Sequence, residues 1–487
     1  MAKDKDVNDK TQEDPDAAKK EFDAAYQDLL GGADNVVNLE DHNPDLKIMN
    51  ELNRNHIFIE DLGGKPAVTL MLYSEVTGKK ELNFIHIESF KQIYMNRTIA
   101  LGNRPVPIGQ YWLQDSRRTT VKAITFDPSQ TKQIIEIDGE SYLNLWNGLG
   151  VAPIKGCWKK TRRHIWKILC NSDPVKFKYV LQWLAFAVQR PETRAEVALV
   201  FKGEQGGGKS FLFVQFKKIF GTHGMVVSDP NRLVGKFNSH FRSLCFLFCD
   251  EAYFPGDKEV EGVMKSRITE EYIDTEAKGR DPITLKNRLH IAMCTNKDLV
   301  IPASKDVRRF FIEAINNMYA KGRAPDRIRK QYFDPLFREM ENGGREAMLY
   351  DLQKINIKNW HPRDNVPDTQ ELRTQKELNL NSLENAVKQM IEEGLLPGEF
   401  KREEYHVPSD SVISYLEKLE PHCVKFSSVK KAKIIKELGA VKSRIGGSGR
   451  VKWIFPELKD MRKKWDEAYG DVAWDEQEKW TVIKTDY

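Results

Sequence analysis

A glycine-rich segment near the middle of the chain has the residue types needed to bind phosphate. Gly203, Gly208, Lys209 and Ser210 are spaced as in the motif G-x-x-x-x-G-K-[ST], with two further glycines inside the loop. Glycines let backbone N–H groups close around phosphate oxygens, Lys209 would reach the β- and γ-phosphates, and Ser210 would ligate Mg²⁺. The segment therefore predicts a site for ATP and Mg²⁺, formed by Gly203, Glu204, Gln205, Gly206, Gly207, Gly208, Lys209, Ser210 and Phe211.

The elements on either side of this loop fit that role. Residues 196–201, apolar from Val197 onward, form a run of strand length, and Phe211–Phe220 has helical periodicity up to Gly221. A helix that starts at the loop would place the positive end of its dipole at the anion. Strand, glycine loop and helix are the context that this motif requires.

A pair of acidic residues ends a second hydrophobic strand. Asp250 and Glu251 follow the apolar run Leu244–Cys249, and the 41 residues from Lys209 to Asp250 leave room for a crossover helix and another strand. In a parallel α/β sheet both acids would emerge at the carboxyl edge, where ligands bind. Asp250 is expected to hold Mg²⁺ and Glu251 to activate water as general base. The second carboxylate predicts hydrolysis rather than binding alone.

Two later segments extend the predicted site. Asn296 follows the apolar run Leu289–Cys294, where its amide could orient the attacking water or sense the γ-phosphate. Arg308 lies 12 residues after Asn296, and Arg309 follows it directly. Either arginine could reach a nucleotide held by a neighbouring subunit and stabilise charge in the transition state. The sequence does not decide between the two.

Length and composition indicate a soluble, multidomain protein. The chain has 487 residues, 40% hydrophobic and 30% charged, and no apolar run approaches the ~18 residues of a membrane span. The net charge of +5 is small, but basic clusters occur at Lys155–Lys167, Lys278–Arg288 and Lys425–Lys452. The six cysteines lack metal-ligand spacing, so we expect reduced thiols and a cytoplasmic location, in a bacterial host if the protein is phage-encoded.

The chain is expected to have an α/β fold divided into five regions. The first region is an Asp- and Lys-rich tail that lacks the apolar segment of a signal peptide. The last region is inferred to be winged-helix-like, because it shows helices at Ser409–Leu419 and Val429–Leu438, a Gly-rich turn and a strand at Val451–Phe455. The predicted regions are a disordered tail (1–35), a β-rich then helical region (36–190), a P-loop core with a parallel sheet (191–320), a helical region (321–400) and the C-terminal module (401–487).

The motifs between residues 203 and 309 together resemble those of the AAA+ superfamily 3 helicases. More narrowly, they are similar to the helicase part of phage and plasmid primase-helicases, including those of poxvirus type. The resemblance covers about Val151–Ile315, and Leu143–Gly148 and Tyr179–Pro191 resemble the stretch before the P-loop in such proteins. It implies an AAA+ core, a hexameric ring with ATP bound between subunits, and single-stranded DNA drawn through the central pore.

The resemblance also implies a hairpin that contacts DNA. Tyr272–Ala277 and Pro282–Lys286 flank a turn with two cations, Lys278 and Arg280, at the position where a hairpin of these helicases points into the pore. Lys278 is the first candidate for a contact with DNA phosphates and Arg280 is the second.

The sequence thus predicts an ATP-dependent helicase of a phage or mobile replicon that acts on single-stranded or forked DNA. Two alternatives stay open. One is a replication initiator or DNA-remodelling ring that assembles through the C-terminal module without processive unwinding, and the other is a P-loop ATPase that acts on protein. Residues 36–150 show no acidic pair with a downstream His of the kind a two-metal primase uses, so priming activity stays undecided and a separate primase could dock there.

Overall fold

Two compact units make up the described part of the chain. The computed structural model describes residues 44–75, 79–229, 231–251, 258–297, 309–378, 380–444, 451–469 and 472–483. The first unit holds the described residues up to 59 with 66–72 and 82–120, and the second holds 60–65, the described part of 73–81, and those from 121 onward. The predicted tail over 1–35, Arg308 and the Gly-rich turn over 446–449 lie outside the described residues.

The first unit has a small aromatic core. Phe90 and Trp112 are fully buried, their ring centroids lie 5.1 Å apart, and His56 packs edge-on against Phe90. A four-stranded sheet of order β3-β2-β1-β6 and a β4–β5 hairpin lie mainly in this unit. In chain order the elements are α1 (Pro44–Asn55), β1 (Phe58–Ile59), β2 (Ala67–Ser74), β3 (Lys79–Ile85), α2 (Ile87–Ile93), β4 (Thr98–Leu101), β5 (Arg104–Pro107), α3 (Ile108–Gln114) and β6 (Thr120–Val121).

The second unit alternates strands and helices up to residue 314. Helix α5 (Pro174–Gln189) is capped at its N-terminus by Asp173, whose side chain accepts from the backbone N–H groups of Val175 and Lys176. The elements are β7 (Ala123–Thr125), β8 (Ile134–Ile137), β9 (Glu140–Asn144), α4 (Lys159–His164), α5 (Pro174–Gln189), β10 (Ala198–Lys202), α6 (Lys209–Phe220), β11 (Gly224–Val227), α7 (Asn231–Val234), β12 (Phe246–Asp250), α8 (Lys258–Thr269), β13 (Tyr272–Thr275), β14 (Ile283–Lys286), β15 (His290–Thr295) and β16 (Phe310–Ala314).

Five of these strands form one parallel sheet in the order β11-β12-β15-β10-β16. Both of its faces are covered. Leu199 and Phe201 of β10 pack into one hydrophobic cluster, whereas Ala198 and Val200 pack into another on the opposite face. Because successive side chains of a strand point to opposite faces, a sheet buried on both sides requires the continuous apolar runs seen in the sequence.

The region after the sheet is helical but divided. Helix α9 (Asp326–Glu339) is separated from α10 (Arg345–Leu352) by a kink at Asn342 and Gly343, where Gly343 has φ 83°. Helix α11 (Gln370–Leu378) follows. The charged segment that the sequence marked as helical therefore consists of separate helices that end at glycines and turns.

The C-terminal module has its own core and sheet. The helix at Ser409–Leu419 and the strand at Val451–Phe455 occupy the residues predicted for them, and the second helix begins one residue earlier than expected. Strands β18, β19, β21 and β20 form an antiparallel sheet in that order. The elements are α12 (Ser382–Glu393), β17 (Leu395–Pro397), β18 (Glu399–Lys401), β19 (Glu404–Pro408), α13 (Ser409–Leu419), α14 (Ser428–Glu437), β20 (Val441–Arg444), β21 (Val451–Phe455), α15 (Leu458–Tyr469) and β22 (Thr481–Ile483).

All six cysteines lie among the described residues, and none is in a disulfide. Five are buried and Cys157 is exposed. In the part of the chain that the structure describes, no helix is both long and apolar enough to cross a bilayer.

Candidate functional site

The glycine-rich loop connects the end of β10 to the start of α6. Gly206 and Gly208 have φ of 75° and 96°, a backbone conformation that glycine adopts without strain. A Cβ on Gly206 would lie 2.5 Å from Arg329 Nη2, and a Cβ on Gly208 would lie 2.7 Å from His164 Cε1. Both positions therefore require glycine, for the backbone conformation and for the close approach of neighbouring side chains.

Lys209 lies underneath this loop. Its side chain is buried, and its Nζ donates to the carbonyl oxygens of Gly203 at 2.6 Å and Glu204 at 2.9 Å. Burial lowers the pKa of Lys209, and the nearby acidic groups, including Glu251 and Asp250, oppose that shift. The loop thus carries a desolvated ammonium group, which interacts more strongly with an anion than an exposed lysine would.

Ser210 and Asp250 connect the loop to the acidic strand end. The Ser210 hydroxyl donates to Asp250 Oδ1 at 2.8 Å, although the residues are 40 positions apart in the chain. Hydroxyl and carboxylate oxygens are ligands that suit Mg²⁺. Among the described residues no three His, Cys, Asp or Glu side chains converge, so a Mg²⁺ ion held here would take its remaining ligands from water and from phosphate.

Glu251 leaves the sheet in an unusual backbone conformation. Its φ is 57°, in the left-handed region that costs a non-glycine residue about 1 kcal/mol, and its N–H donates to the carbonyl of Cys294 at 3.0 Å. The side chain is exposed at the edge of the sheet. Glu251 therefore presents an exposed carboxylate directly after the strand that ends with Asp250.

Asn296 lies between the two motifs. Strand β15 separates β10 from β12, and its residue Thr295 is in register with Lys202 while its carbonyl accepts from the N–H of Gly203 at 3.1 Å. Asn296 is the next residue and is exposed. Three neighbouring strands thus end at the same edge of the sheet and bring the loop, Asn296 and the two acids to that edge.

A segment that the sequence did not single out supports the loop from the other side. We call residues 315–329 the brace. Asn317 Oδ1 accepts from the N–H of Glu204 at 2.9 Å, the N–H of Lys321 donates to the carbonyl of Gln205 at 2.9 Å, and Arg323 Nε donates to both Glu204 carboxylate oxygens at 2.8 Å. The Arg323 guanidinium lowers the pKa of Glu204. The brace therefore holds Glu204 and Gln205 of the loop in place.

His164 contacts the loop at its last glycine. Its Nε2 lies 3.1 Å from the carbonyl oxygen of Gly208, which only accepts, so Nε2 carries the proton and Nδ1 accepts from the Tyr332 hydroxyl at 3.0 Å. The Phe211 ring packs edge-on against His164 and Phe337, at centroid distances of 5.6 Å and 5.0 Å. The Phe211 side chain thus belongs to the packing beneath the loop.

His164 should make the stability of this region depend on pH. Burial lowers the pKa of His164 from its ordinary 6.5 to about 4, so between these values the unfolded chain binds a proton that the folded protein does not. The contribution of the neutral, buried His164 to the free energy of unfolding is therefore complete above pH 6.5. It is lost as the pH falls toward 4, and about 1 kcal/mol of it is lost at pH 5.5.

Urea unfolding of the wild type and of His164→Gln at about pH 7.5 and about pH 5.5 tests this expectation. The wild type should lose more stability on acidification than the variant. His223 and His290, whose pKa values burial also lowers to about 4, contribute equally to both proteins. An equal loss in the two proteins would contradict the assignment.

Arg309 lies at the amino-terminal ends of the parallel strands, opposite the ends at which the loop and the two acids lie. It directly precedes β16, whose first residue Phe310 is in register with Ala198 and whose last residue Ala314 is in register with Lys202. The length of β16 therefore separates Arg309 from the edge at which β10 enters the loop, about 13 Å along the strand. Arg308, the other candidate, is outside the described residues.

The hairpin β13–β14 places its two cations differently. Lys278 is exposed at the tip, whereas Arg280 Nη1 donates to the carbonyls of Leu62 at 2.7 Å and Lys65 at 3.0 Å. Asp281 N–H donates to the carbonyl of Gly63 at 3.0 Å. Arg280 thus attaches the tip to the turn at residues 62–65, and its predicted contact with DNA stays untested.

A known protein family matches the part of the chain that holds the loop, the acidic pair and Asn296. Residues 201–309, from the strand before the loop to Arg309, match a family described as "Family of unknown function (DUF5906)". A DNA primase-polymerase of Nitratiruptor phage NrS-1 is 27% identical over 200 residues, which is 40% of this chain and 27% of the phage protein.

The fold is similar to that of two apo structures of the NrS-1 C-terminal region. Their TM-scores are 0.60 and 0.61, at 17% and 18% identity, and each match covers 84% of this chain and 98% of the other. The chain is thus related to a phage primase-polymerase over part of that protein's length, and it shares the fold of the NrS-1 C-terminal region.

Proposed function

We propose that this protein is an ATP-driven motor of the AAA+ superfamily 3 type that unwinds DNA during replication of a phage or mobile replicon. The observation that carries the proposal is the 2.8 Å hydrogen bond from Ser210 to Asp250, which joins the phosphate-loop motif to the acidic motif at one edge of a parallel sheet. The intervening strand β15 adds Asn296 at the same edge.

The residues at this edge fit a nucleoside triphosphate with Mg²⁺. Gly206 and Gly208 give the loop its left-handed turns, where a Cβ would also meet Arg329 and His164, Lys209 supplies a buried cation, and Ser210 and Asp250 supply oxygen ligands. A bound Mg²⁺ would neutralise charge on the phosphates. To reach those phosphates, Lys209 exchanges the carbonyls of Gly203 and Glu204 for phosphate oxygens.

Hydrolysis is assigned to the groups just outside the strands. Glu251 is the general base and takes a proton from the attacking water, and the Asn296 amide orients that water or contacts the γ-phosphate. Both residues are exposed at the edge where the loop lies. The left-handed backbone at Glu251 supports this assignment, since strained residues are frequent at sites where a side chain must point in one direction.

The position of Arg309 favours an assembly with ATP between subunits. Within its own subunit this arginine is at the edge opposite the loop, so it can act on a nucleotide only across a subunit boundary. Head-to-tail contacts of this type close into rings, and the resemblance to superfamily 3 helicases favours a homo-hexamer. Arg308 remains the alternative finger.

DNA is the proposed substrate because of the relative and of the hairpin. The phage protein that this chain resembles is a DNA primase-polymerase, which supports a role in phage DNA replication. We place that role in the host cytoplasm, with a separate primase or other replisome protein as a proposed partner. Lys278 presents an exposed cation at the tip of β13–β14, and β14 leads through residues 287–289 into β15 and Asn296. The hairpin is therefore the proposed contact with single-stranded DNA.

A strand-displacement assay with ATP and forked DNA tests the function. We expect the annealed strand to be released, and ATP hydrolysis to rise when single-stranded DNA is added. DNA-stimulated hydrolysis without strand release would instead favour an initiator or DNA-remodelling ring, and hydrolysis indifferent to DNA would favour an ATPase that acts on protein.

Lys278→Ala should separate ATP hydrolysis from unwinding. Removal of one phosphate contact per subunit is expected to lower the log–log salt slope of single-strand binding by about 0.7 for each hairpin that contacts the strand, with basal hydrolysis and assembly unchanged. Stimulation by DNA and strand displacement should be lost. Lys286→Ala is the matched control, because Lys286 is an exposed lysine at the other end of the same hairpin. Normal unwinding by Lys278→Ala would rule out the hairpin assignment.

A further inference from the structure

The C-terminal module carries a row of lysines that the proposed ATP site and its hairpin do not use. Lys430, Lys433 and Lys436 are exposed on helix α14, and Val429 beside them is 77% exposed. All three lysines fall in the basic cluster between residues 425 and 452.

Packing fixes the orientation of α14. Ile434 and Ile435 are buried in the core of the module, and the buried ammonium of Lys431 pairs with the carboxylate of Glu417 on α13. Ser427 caps the N-terminus by accepting from the N–H of Lys430. Since one side of the helix is held in this way, the exposed side is presented as a rigid surface.

The three lysines are spread across that surface rather than aligned along it. Residues three apart in a helix differ by about 60° around its axis, so Lys433 lies at the centre and Lys430 and Lys436 lie on the two flanks of a stripe about 120° wide. A helix about 10–12 Å across fits the DNA major groove, about 12 Å wide, where phosphates border both flanks. The lysine stripe matches such a groove.

Further cations surround the stripe. Lys464 reaches the end of α14, because its Nζ would lie 2.5 Å from a Cβ on Gly439. Lys442 is exposed on β20, in the β20–β21 hairpin that follows the helix. Glu437 is an acidic neighbour, 3.9 Å from Lys433. A helix followed by strand β20, both with exposed lysines, offers phosphate contacts inside and beside a groove.

We propose that α14 docks in the major groove of double-stranded DNA, with Lys430, Lys433 and Lys436 contacting phosphates of both strands and Lys442 of β20 contacting the adjacent backbone. The surface anchors the protein to duplex DNA. This role is separate from ATP hydrolysis and from the single-strand contact proposed for Lys278.

The test uses the full-length protein without nucleotide. A variant with Lys430→Ala, Lys433→Ala and Lys436→Ala is compared with a charge-matched control carrying Lys132→Ala, Lys358→Ala and Lys479→Ala, three exposed lysines on other segments. The probe is a fluorescent duplex of about 20 base pairs, which spans two helical turns. Alanine has the highest helix propensity, so α14 should persist, and circular dichroism with thermal unfolding verifies that both proteins fold.

We expect the α14 variant to bind the duplex at least tenfold more weakly at low salt, with the log–log salt slope reduced by about 3, while the control binds like the wild type. Affinity for a single strand of the same sequence should change much less. Unchanged duplex affinity in the folded α14 variant would overturn the proposal. A loss of affinity confined to single-stranded DNA would also overturn it. So would a wild-type protein that binds no duplex, a result that would instead favour an acidic protein as the partner of α14.

Discussion

Glu251→Gln should bind ATP with near wild-type affinity but hydrolyse it about 10²–10⁴-fold more slowly, because the substitution removes only the proposed general base. Glutamine keeps the size of the side chain and cannot accept the proton. Lys209→Ala should differ, since it removes the cation that the loop surrounds, and nucleotide binding itself should weaken. Binding of a fluorescent ATP analogue, measured beside the single-turnover hydrolysis rate, separates the two effects.

Glu467→Gln, which alters an exposed carboxylate on α15, is the matched control and should leave both quantities unchanged. Glu251→Gly adds a second readout. Glycine tolerates the φ of 57° found at this position. The variant should therefore be inactive, and its free energy of unfolding should equal that of the wild type or exceed it by up to about 1 kcal/mol. Hydrolysis by Glu251→Gln at the wild-type rate would remove Glu251 from the mechanism.

The sequence was most informative where the chemistry depends on neighbours in the chain. Gly206 and Gly208 are fixed by a local turn and by their flanking strand and helix, so their spacing was readable without a structure. The apolar runs that became β12 and β15 were equally visible, because a strand buried on both faces is nearly continuous in apolar residues, with His290 as the polar exception within the second run. Asp250 and Asn296 then follow as the residues at or just beyond the strand ends.

Contacts between distant segments were not readable in this way. Arg323 and Arg329 lie in a charged stretch that has the composition of a solvated helix, and only the fold shows that they face Glu204 and Gly206. His164 was missed for the same reason, as a single histidine in a basic cluster gives no sign of the carbonyl it meets. Arg280 was singled out for DNA through the family resemblance, and its contacts with the backbone carbonyls of Leu62 and Lys65 became visible only in the fold.

The largest effect expected from mixing two proteins concerns Arg309. Alone, Lys209→Ala and Arg309→Ala should each be nearly inactive, the first without a phosphate-binding cation and the second without a finger, whose loss costs roughly 10³–10⁵-fold in rate. Mixed in equal amounts they should regain hydrolysis. In the proposed rings, assembled at random, about a quarter of the junctions would combine an intact loop from one subunit with an intact Arg309 from the next.

The geometry is the reason to expect recovery. Arg309 begins the strand whose far end, Ala314, lies beside Lys202, so no rotamer brings its guanidinium to the loop of the same subunit. A Lys209→Ala/Arg309→Ala double variant is the control, because it joins the same rings but supplies neither group, and mixing it with Arg309→Ala should restore nothing. The same experiment with Arg308→Ala tells which arginine is the finger. If native mass spectrometry finds mixed rings that stay inactive with both arginine variants, neither arginine acts across the subunit boundary.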